Sequence, residues 1–208
     1  MADQRTDEWW AARRGKVTAS RIKAVMANGR GGEPSKTRAT YMVELIAERC
    51  TDSTEESYTS AAMQAGVDME PQAKAHYQFT YGVEIEEVGF VEHPTIPMSG
   101  ASPDGVIRAW NAGVELKCVI PTTQVKTLLK GTGVTQYRDQ MQWQMACLGP
   151  ECKMVKFISF SPKFKDGMAC WTKTVDRDNE RIAELEDGVV AFLKEIDDKM
   201  ASLEEAYG

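Results

Sequence analysis

The chain lacks the features of several protein classes. It has no C-x-x-C pair, and five cysteines are an odd number, which argues against a disulfide framework and a zinc knuckle. Only His76 and His93 could offer imidazole ligands, so a metal here should be held by oxygen. No apolar run approaches the roughly 20 residues that span a bilayer, and the N-terminus has no apolar signal region. These absences predict a cytoplasmic protein with reduced thiols and no membrane contact.

Charged residues are unevenly distributed along the chain. A net charge of −6 argues against a nucleic-acid partner, but residues 1–50 carry ten basic and six acidic side chains, whereas residues 51–100 carry one and nine. The N-terminal excess is compatible with an anion-binding surface and equally with a solvated helical face. Its basic side chains include Arg5, Arg13, Arg14, Lys16, Arg21, Lys23, Arg30, Lys36 and Arg38.

The pattern of apolar residues predicts a mixed α/β fold. Helical spacing predicts helices over about 8–14, 19–27, 38–50, 60–81, 123–130, 135–147 and 179–206. Alternation predicts strands over about 83–91, 98–101, 105–108, 114–119, 154–161 and 168–175. This order predicts a central mixed sheet flanked by helices, with an N-terminal helical elaboration and a long C-terminal helix. With no internal repeat or low-complexity tract, one domain over residues 1–208 is expected.

The most informative stretch runs from Ser102 to Lys117. Pro-Asp-Gly at 103–105 and Asn-Ala-Gly at 111–113 favour turns, so the strands that they bound should fold back on each other. Side chains alternate along a strand, which puts Glu115 and Lys117 on one face and Leu116 in the core. Asp104 can then lie across from Glu115, within a few ångströms. Two carboxylates and one ammonium are expected to meet here.

Each of these residues also has an ordinary structural interpretation. Asp104 can simply form a turn, and Glu115 with Lys117 can be a surface ion pair. The apolar surroundings of 115–120 favour a central strand, where charged groups are costly unless they are paired or bound to metal. Carboxylates and the Leu116 carbonyl are ligands that Mg²⁺ prefers, and Lys117 could orient a water or stabilise charge.

Two further segments could join this site. Glu70 lies next to Pro71 in a predicted helix, where the proline either kinks the helix or begins its second half, and Glu70 could add a third carboxylate and room for a second metal. The stretch Gln140-Met-Gln142-Trp-Gln144 puts amides on a helix whose apolar residues face the core, and buried amides need partners. Exposure of these amides on the opposite face is an equally good interpretation.

Taken together, Glu70, Pro103-Asp104-Gly105, Glu115-Leu116-Lys117 and Gln140-Met-Gln142 resemble the PD-(D/E)XK nuclease superfamily. More narrowly, they are similar to the phage lambda exonuclease family, also called YqaJ-type viral recombinases. The N-terminal stretch from Trp9 to Ser20 resembles that family's W-x-x-x-R-x-G-x-x-T-A-S element. The resemblance covers about residues 9–149, and it implies a PD-(D/E)XK nuclease-like fold.

The resemblance implies roles for individual residues. Asp104, Glu115 and the Leu116 carbonyl would bind the catalytic metal, Glu70 would complete a second metal site, and Lys117 would align the attacking water. Gln142 would support this arrangement from its helix. Arg13 and Ser20 would bind the 5′-phosphate of a DNA end, Arg30 would touch the duplex, and Met63 would be an apolar wedge between the strands. Two Mg²⁺ ions are expected, with Mn²⁺ as a possible substitute.

The resemblance also implies an activity and partners. Family members are ring-shaped homotrimers that digest one strand of duplex DNA from 5′ to 3′ and leave a 3′ overhang for a single-strand annealing protein. The alternatives are an endonuclease or helicase-associated nuclease module of the same superfamily, and a DNA-end-binding subunit without catalytic activity. The last is disfavoured because Asp104, Glu115 and Lys117 are all present. The region after Ser161 carries no motif that assigns it a role.

Overall fold

The computed structural model describes residues 4–29, 35–53 and 61–208, without the side chains of residues 61–63, 132 and 166. The α-helices described are α1 (Asp7–Arg13), α2 (Ile22–Val25), α3 (Lys36–Thr51), α4 (Ala61–Tyr81), α5 (Pro121–Lys130), α6 (Arg138–Leu148) and α7 (Asn179–Tyr207). The strands are β1 (Val17–Thr18), β2 (Val91–Glu92), β3 (Ser99–Ala101), β4 (Gly105–Ile107), β5 (Ala112–Cys118), β6 (Met154–Phe160) and β7 (Cys170–Asp176).

The strands form two sheets. The larger sheet has the order β4-β5-β6-β7, with β5 and β6 parallel and the outer pairs antiparallel. The smaller sheet has the order β1-β3-β2. Because β5 and β6 are parallel, the chain between them must cross over, and α5 and α6 make that crossover. The mixed sheet flanked by helices that the sequence predicts is confirmed, as is the long C-terminal helix.

Helices cover both faces of the larger sheet. Tyr77 of α4 packs with Leu116 and Ile158 on one face, and Met141 and Met145 of α6 pack with Phe157 on the other. Since successive residues of a strand point to opposite faces, Leu116 faces α4 whereas its neighbour Glu115 faces α6. The sheet therefore presents Glu115 to a helix that is rich in amides.

Helices α2 and α3 pack on the C-terminal helix α7. A third hydrophobic cluster, besides those on the two faces of the sheet, joins α2, α3 and α7. The α7 residues fully buried in it are Leu185, Val189, Phe192 and Ile196. Side chains cap the starts of α1 and α7, since the Thr6 side chain accepts a hydrogen bond from the Trp9 N–H and Asp178 accepts one from the Arg181 N–H. Among the described helices, none is both long enough and apolar enough to cross a bilayer.

The expected strand over 83–91 is wrong for most of its length. Only Val91 and Glu92 form a strand, and Glu86 makes one isolated bridge to Val106. Ile85 and Val88 are buried, so the alternation in the sequence reflects burial of an extended segment. The neighbouring β4 is only three residues long, so a longer strand over 83–91 would find few backbone partners there. The helix expected over 19–27 is also shorter, because it begins with a 3₁₀ turn at Ala19–Arg21.

Candidate functional site

The hairpin of β4 and β5 fixes the position of Asp104. The Asp104 N–H donates to the Val114 carbonyl at 3.0 Å, and its Oδ2 accepts a hydrogen bond from the Leu116 N–H at 2.6 Å. Gly105 is required beside it, because a Cβ there would lie 2.4 Å from Cγ2 of Ile85. The N–H and C=O of a strand residue point to the same edge, so the Leu116 carbonyl also faces the side of Asp104.

Glu115 and Lys117 lie on one face of β5, as the alternation predicts. They form an ion pair through Glu115 Oε1. Glu115 is buried, with 1% of its side chain exposed, whereas 29% of Lys117 is exposed. Two amides of α6 complete the surroundings of the carboxylate, since Gln140 donates to Oε1 at 2.8 Å and Gln144 donates to Oε2 at 2.6 Å. A buried charge with this many donors is compensated.

Lys117 is held as an ammonium ion. Its Nζ lies 5.0 Å from the centre of the Tyr137 ring, a cation–π distance. Burial acts to lower the pKa of Lys117, but the charges of Glu115 and Asp104 outweigh burial and raise the pKa above its ordinary value. The Lys117 side chain can therefore donate hydrogen bonds and stabilise negative charge, and it does not act as a general base.

Asp104 lies in a field of like charge. Burial, followed by the charge of Glu115, raises the pKa of Asp104 to about 7, while Lys117 and the hydrogen bond from Leu116 oppose the rise. Glu70 of α4 also raises it. Because burial and the charges of Glu115 and Glu70 together raise the pKa of Asp104, a cation placed among these carboxylates would be stabilised.

Glu70 is occupied by the N-terminal segment. Arg5 Nη2 lies 2.9 and 2.7 Å from the two oxygens of Glu70. The preceding Gln4 donates through Nε2 to the carbonyls of Val88 and Pro103, so this segment crosses the chain next to Asp104. Arg5 has a φ of +69°, an uncommon conformation for a residue other than glycine. The ion pair with Glu70 joins positions far apart in the sequence.

The donor set of the site fits a magnesium ion. Asp104, Glu115, Glu70 and the Leu116 carbonyl supply only oxygen, which is what Mg²⁺ prefers. Within the described ranges, no three carboxylate, imidazole or thiol groups form a ready metal cluster. Lys117 is paired with Glu115 and Arg5 with Glu70, so both carboxylates already have a cation of the chain beside them. A separate cavity of about 760 Å³ between the end of β7 and the start of α6 contains none of these groups.

Arg13 lies beside Ser102, two residues before Asp104. Its Nη1 donates to Ser102 Oγ at 2.8 Å, and its guanidinium lies 4.2 Å from the Trp9 ring centre. The Trp9 indole N–H also donates to Ser102 Oγ, at 3.0 Å. Burial lowers the pKa of Arg13 to about 10, which leaves it charged at neutral pH. A charged arginine and a hydroxyl thus meet within two residues of the carboxylate site.

The other residues expected to bind DNA are placed less directly. Ser20 is exposed, and its hydroxyl lies 3.3 Å from that of Thr18. The Thr18 N–H bonds to the Tyr41 hydroxyl, whose surroundings include Arg13. Arg30 lies outside the described residues, and Met63 is in α4 with a side chain that is outside them. Their expected roles stay predictions.

The structure corrects the placement of Gln142. Its amide donates to the Asp176 carbonyl and accepts from the Asp178 N–H, so it contacts the end of β7 and not the carboxylates. Helical residues two apart point to nearly opposite sides, whereas residues four apart share a face. Gln140 and Gln144 therefore both reach Glu115. The i, i+4 spacing of the two glutamines was the available signal for this pair.

Comparisons with known proteins identify a family and similar solved structures. A profile of the YqaJ-like viral recombinase domain matches residues 8–151. The chain is similar to the crystal structure of an alkaline exonuclease, LHK-Exo, from Laribacter hongkongensis, with 39% identity, a TM-score of 0.87 and 97% of each chain covered. A second structure of LHK-Exo, in complex with dAMP, matches with the same values.

A more distant structure shares the fold. A phage-related exonuclease from Haemophilus somnus 129PT matches at 15% identity, with a TM-score of 0.75, over 90% of this chain and 96% of that one. No curated protein sequence matches the chain. The profile match spans well over half of the residues and includes Asp104, Glu115 and Lys117. The chain belongs to the YqaJ-like viral recombinase family.

Proposed function

We propose that the chain is a Mg²⁺-dependent exodeoxyribonuclease that digests one strand of duplex DNA from 5′ to 3′ and leaves a 3′ overhang. One observation carries the proposal: Asp104, directly before β4, accepts a hydrogen bond from the backbone of β5 beside Glu115, and Lys117 is bonded to Glu115. Membership of the family and 39% identity to an alkaline exonuclease support an exonuclease activity on DNA. Holding a buried Glu115 beside a half-buried Asp104 is costly unless the charges are compensated, as they are at a metal-binding site.

Each residue of the site has its own role in the proposed reaction. Asp104, Glu115 and the Leu116 carbonyl would hold one Mg²⁺, and Glu70 would complete a second site, with Mn²⁺ as a substitute. Bound Mg²⁺ supplies a water of lowered pKa and offsets charge on the phosphate. Lys117, kept protonated by its two carboxylate neighbours, orients that water and stabilises the charge that develops.

Recognition of the DNA end is assigned to the N-terminal part of the site. Arg13 with Ser102 offers a charged and a neutral donor, and a charge-assisted bond to a 5′-phosphate would favour phosphorylated ends. Ser20 adds a hydroxyl near the same place. Arg30 contacts the duplex ahead of the site, and Met63 separates the strands.

The assembly and partner follow from the resemblance. One chain of 208 residues is too small to encircle a duplex, so a ring would require several copies, and the resemblance implies three. The 3′ overhang that the ring leaves is the substrate of a single-strand annealing protein. The mass of the purified protein by light scattering tests the ring, with three chains expected.

The activity is tested with two DNA forms of the same sequence. Linear duplex and covalently closed circular duplex are incubated with the protein, either with Mg²⁺ or with EDTA. We expect loss of the linear form alone, and only with Mg²⁺. Cutting of the closed circle would show an endonuclease, whereas binding of linear ends without cutting would show a subunit that lacks catalysis. Degradation in EDTA would overturn the role of the metal.

A further inference from the structure

Two glutamines of α6 donate hydrogen bonds to different oxygens of the Glu115 carboxylate. Gln140 donates to Oε1, which also receives Lys117, and Gln144 alone among the described side chains donates to Oε2. Gln140 belongs to the stretch that carries the family resemblance, but Gln144 lies one helical turn beyond it. The role of Gln144 is therefore a separate question.

Burial distinguishes the two oxygens. Gln144 has none of its surface exposed, whereas Gln140 is half-buried and Lys117 is 29% exposed. The Oε1 side of the carboxylate thus faces the opening of the site, and the Oε2 side faces the interior between α6 and β5. Gln144 contacts the oxygen on the interior side.

The orientation of the Gln144 amide is set by Glu115. Its carbonyl oxygen is buried and makes no hydrogen bond with the described residues. An orphaned buried carbonyl is unfavourable, yet turning the amide over would place that oxygen against Oε2 of Glu115. An ionised carboxylate accepts hydrogen bonds only, so the amide nitrogen must face it. The Gln144 side chain donates a hydrogen bond to Glu115, and its own carbonyl oxygen has no hydrogen-bond partner among the described residues.

We propose that Gln144 is a positioning residue that fixes the rotation of the Glu115 carboxylate and keeps Oε1 turned toward Lys117 and the metal site. The inference rests on the proposed function, since Glu115 must be a metal ligand for its rotation to matter. Without the donor on Oε2, the carboxylate turns more freely. A metal must then order it on binding, which weakens the affinity.

The test measures metal binding without DNA and without turnover. Mn²⁺ is titrated into the full chain, and the free ion is followed by its electron paramagnetic resonance signal. Gln144→Met removes the donor at similar length, and we expect its dissociation constant for Mn²⁺ to rise about tenfold. Gln144→His keeps an N–H at a similar reach, and we expect it to restore the constant to within about threefold of the unaltered chain.

The matched control is Gln124→Met. Gln124 is equally buried and is bonded to Ser159 and to the Met168 carbonyl, and its described hydrogen bonds include none to a carboxylate. We expect it to lower the melting temperature and leave the Mn²⁺ constant unchanged. If Gln144→Met does not fold, Gln144→Leu carries the same expectation.

The outcomes separate this inference from the proposed function. An unchanged Mn²⁺ constant in folded Gln144→Met, with Mg²⁺-dependent digestion intact, would overturn the positioning role and leave the nuclease proposal standing. An equal loss of affinity in Gln124→Met and Gln144→Met would reduce the effect to general destabilisation and also overturn it. Absence of Mn²⁺ binding by the unaltered chain would overturn both.

Discussion

Arg5 and Glu70 form an ion pair in which one guanidinium nitrogen lies within 2.9 Å of both carboxylate oxygens. The contact connects the N-terminal segment to the helix that carries the third carboxylate of the site. Because 43% of Arg5 is exposed, the pair contributes little to folding, about 1 kcal/mol at most. Its main effect is on whatever else Glu70 would bind.

A metal at Glu70 must displace Arg5, so Arg5→Ala should make the site bind metal more readily. A contribution of up to about 1 kcal/mol corresponds to a roughly fivefold lower half-saturating Mg²⁺ concentration. The measurement is digestion rate against Mg²⁺ concentration. Arg108→Ala is the control, since Arg108 makes a similar exposed pair with Glu86 outside the site. A higher Mg²⁺ requirement in Arg5→Ala would contradict the competition.

Arg13→Gln should impair phosphorylated ends selectively. The substitution keeps a donor for Ser102 and removes the charge, so a charge-assisted bond is lost only where a 5′-phosphate is present. We expect digestion of 5′-phosphorylated duplex to slow roughly tenfold or more, with little change for 5′-hydroxyl duplex. Arg21→Gln, in the same basic block, is the control. Equal slowing on both ends would remove Arg13 from end recognition.

Glu115→Ala should abolish cleavage and preserve DNA binding. It removes a proposed metal ligand and leaves Lys117 without its ion-pair partner on β5. We expect the digestion rate to fall by at least about 10²-fold, with binding to linear duplex in a gel-shift assay changed little. Glu86→Ala, at an exposed glutamate, controls for loss of one charge. Cleavage at the unaltered rate would show that Glu115 is not a ligand.

His93 should make the fold sensitive to acid. Its Nδ1 accepts hydrogen bonds from the N–H groups of Thr95 and Ile96, so the buried ring is neutral. Burial lowers its pKa below the ordinary 6.5, and Glu186 opposes this only in part. The unfolded chain therefore binds more protons below about pH 6.5, and stability falls with the pH in that range.

The measurement is the urea midpoint of the unaltered chain and of His93→Gln between pH 8 and pH 5. We expect the midpoint of the unaltered chain to fall more steeply below pH 6.5, although His93→Gln starts lower because it loses the ring contact with Trp143. Parallel curves would show that His93 does not titrate differently in the two states.

The sequence predicts local geometry well. Period two along β5 is enough to place Glu115 and Lys117 together and Leu116 in the core, because a strand allows no other arrangement. Helix starts at Thr6 and Asp178 follow from side chains that can accept the first free N–H groups. These features depend on neighbours a few residues apart.

Long-range contacts were beyond the same reasoning. Nothing in the pattern connects Arg5 with Glu70, 65 positions later, or Gln4 with the Pro103 carbonyl. The segment 83–91 alternates like a strand, but its pairing depended on the length of β4, which periodicity does not report. The choice among three glutamines depended on which face of α6 meets β5, and that is fixed by the packing of Met141 and Met145.

Ser102 and Asp104 are two residues apart, so their Cα atoms can be no more than about 7 Å from each other. One of them contacts the arginine assigned to the terminal phosphate, and the other is assigned to the metal. The backbone therefore limits the separation between the residue that contacts Arg13 and the residue assigned to the metal. Under the proposed function, this limit keeps the bound 5′-phosphate and the metal close to each other.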